Sequence, residues 1–208
     1  MEGKMMEATC TDFAAALAAK ESVPGGGGAA AYVGALGVAL CSMVGNFTTG
    51  KKKYADVEED VQRMLAEAET IRVRLIDLVD EDAAAFFPLS QAYGIPKEDP
   101  TRAETLERTT KDAIAAPLEM MRQICKAIEL LEEMGEKGSR MLISDVGCGA
   151  LLCRAALEAA SMNVFINTKS LTDRAWADEV DAEAEGMLST YCPRAEKVAA
   201  EVARAIRQ

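Results

Sequence analysis

Apolar residues in this chain recur every three or four positions, and no stretch alternates convincingly with the two-residue period of a half-buried strand. The pattern predicts helix after helix. A first amphipathic helix is expected from about Thr11 to Lys20, with Asp12 in its first turn. Pro24 and the glycines Gly25 to Gly28 then break the chain, and an uncharged run rich in Ala and Gly extends from Ala29 to Phe47. Lys51-Lys52-Lys53-Tyr54 marks a turn before a long charged helix from about Ala55 to Tyr93, which Gly94-Ile95-Pro96-Lys97 ends. Three more helices are expected: Thr101 to Met134, closed by Gly135 and Gly138; Ser144 to Asn167; and Leu171 to the C-terminus. Pro88, Pro117 and Pro193 fall inside these patterns and predict kinks or breaks.

The run from Ala29 to Phe47 is long enough to cross a bilayer. It is poor in Leu, Ile and Phe, however, and lacks an aromatic belt. Gly27, Ala31, Gly34, Cys41 and Gly45 share one stripe of a helical wheel, which lets another helix approach closely. The expectation is therefore an all-α, single-domain bundle spanning 1–208. About six helices, several of them long and Pro-kinked, would surround a buried Ala/Gly-rich central helix. Composition points the same way. Half the residues are apolar but only 5% are aromatic, which suits helices packed through small side chains better than a β-sandwich.

Charge and residue inventory narrow the chemistry. A formal charge of -11 argues against nucleic-acid binding, which needs a basic face. There is no His, and none of the six cysteines forms a CxxC pair. Zinc sites of the Cys/His kind, Cys-His nucleophiles and Ser-His-Asp triads are excluded on that inventory, and no metal site is expected. Met1 to Lys20 carries charges throughout, so no signal peptide is read, and the cysteines are expected to be reduced, in the cytoplasm.

Two carboxylates stand out by position. Leu75, Val79, Asp82, Phe86 and Tyr93 lie on one stripe, whereas Asp77, Asp80 and Glu81 point elsewhere, so Asp82 alone enters the apolar seam. It is either a hydrogen-bonded structural group or an acid–base group with a raised pKa. Asp145 aligns with Gly149, Leu152, Ala156, Asn163 and Asn167 on the fifth helix. Ser144 or Asp145 can instead simply cap that helix. Asn163 and Asn167 both donate and accept, as a ring with mixed polar edges requires. Gly25, Gly26 and Gly27 can admit an anion at a helix N-terminus, and Lys51, Lys52 and Lys53 form the densest positive spot in an acidic chain.

Three strings then look familiar together: SVPGGGGAAAYVGALGVALCSMVGNFTTGKKKY, DEDAAAFFPLSQAYGIPK and ISDVGCGALLCRAALEAASMNVFIN. In this order, over nearly the whole chain, they resemble the cyclodeaminase/cyclohydrolase family. That family includes the C-terminal domain of formiminotransferase-cyclodeaminase and stand-alone bacterial methenyltetrahydrofolate cyclohydrolases. The resemblance implies an all-α fold, a homodimer and a tetrahydrofolate derivative as substrate, with no permanently bound cofactor. Gly28 stands where many members have Ser, and Gly138-Ser139 where deaminase domains have Gly-Asn. With KKKY and NVFINTKS, these choices look more like the stand-alone cyclohydrolases. Carried over, the resemblance makes Asp82 the proton-carrying group with Phe86 packed nearby and Asp145, beside Ser144, a pterin anchor or proton partner. Asn163 and Asn167 would orient the ring, Gly25 to Gly27 would allow close approach, and Lys51 to Lys53 would meet a glutamate tail. A cyclodeaminase acting on 5-formiminotetrahydrofolate is the neighbouring alternative. A non-catalytic helical module, either a small-residue dimerisation unit or a membrane-associated bundle, is the alternative of another class.

Overall fold

The computed structural model describes residues 5–208. Six α-helices carry the fold: α1 Cys10–Ala18, α2 Gly26–Asn46, α3 Glu58–Tyr93, α4 Arg102–Lys137, α5 Ile143–Thr168 and α6 Arg174–Arg207. Short 3-10 turns, among them Lys52–Val57 and Arg140–Leu142, join them, and no strand occurs among the described residues. The all-α reading holds. Thr9 caps α1 by accepting the Asp12 N–H at 3.1 Å, while its hydroxyl donates to the Asp12 carboxylate.

Helix α2 is the centre. It packs on α3, α4 and α5, and α5 in turn packs on α2, α4 and α6. Gly27, Ala31, Gly34, Cys41 and Gly45, the stripe expected to admit neighbours, are all buried. A Cβ on Gly34 would lie 3.0 Å from Ile124, and one on Gly37 would lie 2.5 Å from Cys153 Sγ and 3.1 Å from the Gly149 carbonyl. The missing side chains let α2 and α5 cross at contact distance. Both helices are long and apolar enough to cross a membrane, but α2 spends much of its apolar surface on three neighbours within this chain.

Three sequence expectations need correction. The glycine run is no break: Gly25 caps α2, and Gly26 to Gly28 form its first turn. Gly135 does not end α4, which continues to Lys137 and is capped by Gly138, whose N–H bonds the Met134 carbonyl. Of the kinks or breaks expected at Pro88, Pro117 and Pro193, the breaks are absent, since α3, α4 and α6 run through them. An interior proline costs about 3 kcal/mol. Helices of this length, with buried residues on both sides of the proline, absorb that cost.

Candidate functional site

The site is built where the N-terminus of α2 is held between α3 and α5. Gly27 faces α3: a Cβ there would sit 2.5 Å from each Asp82 carboxylate oxygen. Gly26 faces α5: its Cβ would sit 3.5 Å from Asn163 Oδ1. Gly27 is thus what lets the Asp82 carboxylate close on this turn, while at Gly26 a methyl would meet Asn163 only at ordinary contact distance.

Asp82 is half-buried, and loss of water raises its pKa from 3.8 to about 6, partly opposed by the backbone N–H of Gly28. Its acidic neighbours serve local structure. Asp80 accepts the Met5 N–H at 2.8 Å, and Glu81 pairs with Arg74. Asp82 alone turns to the glycine turn, as the helical period implied. Phe86 lies one turn further along α3, half-buried, with Tyr93 exposed at the helix end. On α5, Asn163 Nδ2 donates to the Ala159 carbonyl and Asn167 Nδ2 to the Asn163 carbonyl, each at 2.9 Å. These bonds pin two carboxamides, one turn apart, along the same edge.

Asp145, Ser144 and the lysines lie elsewhere in the chain. Helices α2 and α5 are antiparallel: Gly26 meets Asn163, Gly37 meets Cys153, and Val44 meets Gly138 just before α5. Lys51 to Lys53 follow the far end of α2, about 30 Å from Gly26 at 1.5 Å per residue. Asp145 and Ser144 lie in the first turn of α5, about 27 Å from Asn163 by the same rise. Neither caps that helix, whose N-cap is Leu142 without a side-chain bond. Within one chain, then, Asp82, Gly25 to Gly27, Phe86, Asn163 and Asn167 form one end, and Lys51 to Lys53, Ser144 and Asp145 form the other.

The second end contains residues that sequence reasoning passed over. The Ser139 N–H donates to Thr48 Oγ1 at 2.8 Å, and the Arg140 N–H donates to the Tyr54 hydroxyl at 3.1 Å. The lysine turn is thereby docked onto the segment before α5. Tyr54 ended the KKKY string, but nothing in the spacing shows a segment more than eighty residues away folding onto it. Lys51 lies 5.8 Å from the Phe47 ring centroid and Lys53 lies 5.4 Å from that of Tyr54. Among the described residues none of the three ammonium groups has a carboxylate partner. The 710 Å³ groove of Arg63, Ile71, Arg74, Lys126 and Leu130 between α3 and α4 is lined by neither Asp82 nor Asn163.

One uncharged surface joins the two ends. Ala29, Val33, Leu36, Leu40, Met43 and Phe47 form the outward stripe of α2; Ser144, Cys148, Leu151, Ala155, Ala159, Met162 and Ile166 form that of α5. Met162 and Ile166 are 67% and 65% exposed, so the stripe is open in the single chain.

With the geometry in place, the chain can be set beside known proteins. Residues 9–186 match the family described as formiminotransferase-cyclodeaminase. A methenyltetrahydrofolate cyclohydrolase from Methylorubrum extorquens is 42% identical over 185 residues, 87% of this chain and 89% of that protein. A formimidoyltransferase-cyclodeaminase from Mus musculus is 29% identical over 191 residues, 90% of this chain but only 35% of the mouse protein. The crystal structure of formiminotetrahydrofolate cyclodeaminase from Thermotoga maritima superposes with a TM-score of 0.84 at 31% identity, covering 95% of this chain and 98% of that one. Sequence and three-dimensional likeness span the same helices, and the chain belongs to the formiminotransferase-cyclodeaminase family.

Proposed function

We propose that this chain is an enzyme of one-carbon folate metabolism that hydrolyses 5,10-methenyltetrahydrofolate to 10-formyltetrahydrofolate. The observation that carries the reading is the Asp82 carboxylate, half-buried against Gly27, with a pKa of about 6. The substrate is an amidinium-like cation, and an ionised Asp82 favours it electrostatically while standing ready to take a proton from water. Water adds to the carbon between N5 and N10, Asp82 takes its proton, and breaking the bond to N5 leaves the formyl group on N10. No cofactor is needed for these proton transfers. Asn163 and Asn167 present polar edges to the pterin, and Phe86 offers an apolar wall one turn from Asp82. The likeness to the cyclohydrolase at 42% identity over most of both chains favours this substrate over the formimino one.

The working form is a cytoplasmic homodimer. The uncharged α2/α5 face, two antiparallel helices about 30 Å long set 8–10 Å apart, buries about 1,000 Å² in total when paired, the scale of a specific interface. Patches of this kind mark partner surfaces. A two-fold axis in the plane of that face, crossing the helices at right angles, sets the acidic Asp82 end of one chain against the lysine end of the other. An axis along the helices would set like against like, which charge opposes. The crossed arrangement brings Lys51, Lys52 and Lys53 of the partner subunit to a carboxylate tail of the substrate, and Ser144 and Asp145 of the partner subunit to its ring.

The test is loss of the near-ultraviolet absorption of 5,10-methenyltetrahydrofolate above the spontaneous rate, in wild type and Asp82→Asn. The turnover rate of the variant is expected to drop at least about 10²-fold, the contribution of a positioned acid–base group. A rate within about threefold of wild type in a folded variant removes Asp82 from the chemistry. Ammonia release from 5-formiminotetrahydrofolate without hydrolysis of the methenyl compound would assign the cyclodeaminase reaction instead.

A further inference from the structure

Collapse of the tetrahedral adduct needs two proton movements at once. The hydroxyl on carbon must lose its proton as C=O forms, and N5 must gain one as it takes the electron pair of the breaking C–N bond. Asp82 serves one of these. The chain has no His, so the second carrier is a Lys, Tyr, Cys or another carboxylate. Cys41, Cys125 and Cys153 are buried, which pushes their thiols far above the working range. Among the tyrosines, the Tyr191 hydroxyl is committed to Glu129 at 2.7 Å, and that of Tyr32 is shared with Cys10 at 3.3 Å.

Tyr54 differs from these in the direction of its bonds. Its oxygen receives the Arg140 N–H at 3.1 Å and is supported by the Ser139 side chain. A phenol has one proton to give and limited acceptor capacity. The Arg140 N–H takes up part of that acceptor capacity and leaves the phenol's own hydrogen to be donated. The backbone of Tyr54 leaves the helical region at φ -116°, ψ 17° inside the 3-10 turn, and Ser139 is anchored in turn on Thr48. The result is a hydroxyl pinned in the lysine turn that follows α2, against the segment before α5. The Arg140 N–H first, then the Ser139 side chain and the Lys53 charge beside its ring, hold the phenol below its ordinary pKa.

We propose that Tyr54 is the second proton carrier of the hydrolysis, reaching across the dimer to protonate N5 opposite Asp82. This rests on the folate reading and the crossed dimer given above. After Asp82 has released the proton of the attacking water to solvent, it takes the carbinol proton, the C–N5 electron pair moves to N5, and N5 accepts the proton of the partner subunit's Tyr54. The phenolate is held by the Arg140 N–H, the Ser139 hydroxyl and the Lys53 charge until a proton returns through solvent from Asp82. Water and the cation enter; the formyl product and one proton leave.

Tyr54→Phe keeps the ring and its packing. Its kcat should fall about 10²-fold with KM within about threefold, while sedimentation still shows a dimer. The alkaline limb of the wild-type kcat profile, set by ionisation of the donor, should disappear with it. In Ser139→Ala, which keeps the phenol but loses a donor to it, that limb should move upward, and the neutral rate should fall by less than in Tyr54→Phe. Mixing unfolded Asp82→Asn and Tyr54→Phe chains and refolding them together should restore about a quarter of wild-type activity, because half the dimers are mixed and each holds one intact site. Each single variant refolded alone should stay inactive. A rate within threefold for Tyr54→Phe, an unmoved limb in Ser139→Ala, or no complementation in mixed dimers would each overturn the assignment. Full activity of Asp82→Asn would remove Asp82 and with it the paired-carrier assignment, whereas no hydrolysis of 5,10-methenyltetrahydrofolate by the wild type would overturn the folate reading beneath it.

Discussion

Gly27→Ala is a single methyl whose effect can be worked from contact distances. The added Cβ would lie 2.5 Å from both Asp82 carboxylate oxygens and 2.7 Å from Cγ. Ordinary carbon–oxygen contact begins near 3.3 Å, so the carboxylate must withdraw by about 0.8 Å or rotate off its rotamer, at about 0.5–1.5 kcal/mol. A misplacement of about 1 Å in a reacting group costs about 10²-fold in rate. Stability moves little. Alanine gains up to about 1 kcal/mol of helix propensity over glycine, which offsets the strain in this first turn of α2. The assay pairs kcat on 5,10-methenyltetrahydrofolate with thermal melting. A 30- to 100-fold loss, about 2–3 kcal/mol in activation free energy, should accompany a melting temperature within a few degrees of wild type. Gly186→Ala on α6, where an added Cβ meets nothing within 4 Å, is the control, expected to raise stability slightly and leave the rate alone. An undiminished rate in Gly27→Ala would mean that the carboxylate pressed on this turn is not the group that carries the proton.

The Asp82 pKa sets both an activity limit and a stability slope. As a base it must be ionised, so kcat/KM should fall below about pH 6, and this limb should be absent from whatever residual rate Asp82→Asn shows. Its folded pKa is raised above the ordinary 3.8, so the folded state binds the extra proton and stability declines as pH rises from about 4 to about 6. Asp82→Asn should therefore stabilise the fold above pH 6, by at most about 3 kcal/mol, and not below pH 4, as urea midpoints at the two pH values would show. Gly37→Ala forces a methyl to 2.5 Å from Cys153 Sγ and 3.1 Å from a backbone carbonyl at the α2/α5 crossing, so a loss of about 1–3 kcal/mol in chemical denaturation is expected.

What was legible in the sequence was what a single helix determines. The 3.6-residue period placed Asp82 in the seam with Leu75 and Val79, and it separated Asp77, Asp80 and Glu81 from it, because side-chain direction on a helix is local. The same reasoning found the small-residue stripe of α2. It said less wherever two segments had to be joined. Asp82, Asp145 and the lysines were grouped around one ligand, but within one chain the antiparallel pairing of α2 and α5 puts them at opposite ends of the bundle, and no local pattern encodes which ends meet. Gly25 to Gly28 were read as a break from their low helix propensity. Packing between α3 and α5 overrides propensity there, and at Gly27 no Cβ fits against the Asp82 carboxylate.

Helix α2 also shows why an apolar run was ambiguous. A helix apolar on all sides is either deep in a protein core or in lipid. This one sorts its apolar residues by size. Gly and Ala, with Val38, Cys41 and Val44, face its own bundle, and Val33, Leu36, Leu40, Met43 and Phe47 point outward. Small residues suit a backbone crossing that is already fixed, while larger ones supply the area that a separate partner must bury. The outward residues continue across α5 as Leu151, Met162 and Ile166 without a charge between them, yet charge returns at both ends of the face, acidic at Asp82 and basic at Lys51 to Lys53. Lipid would gain nothing from opposite charges at the two ends, whereas a second copy laid in reverse gains from both. In the proposed dimer, chemistry and assembly thus rest on the same two helices, one face of which holds the glycines that admit Asp82 and the other the surface that would bring a partner's cations to it.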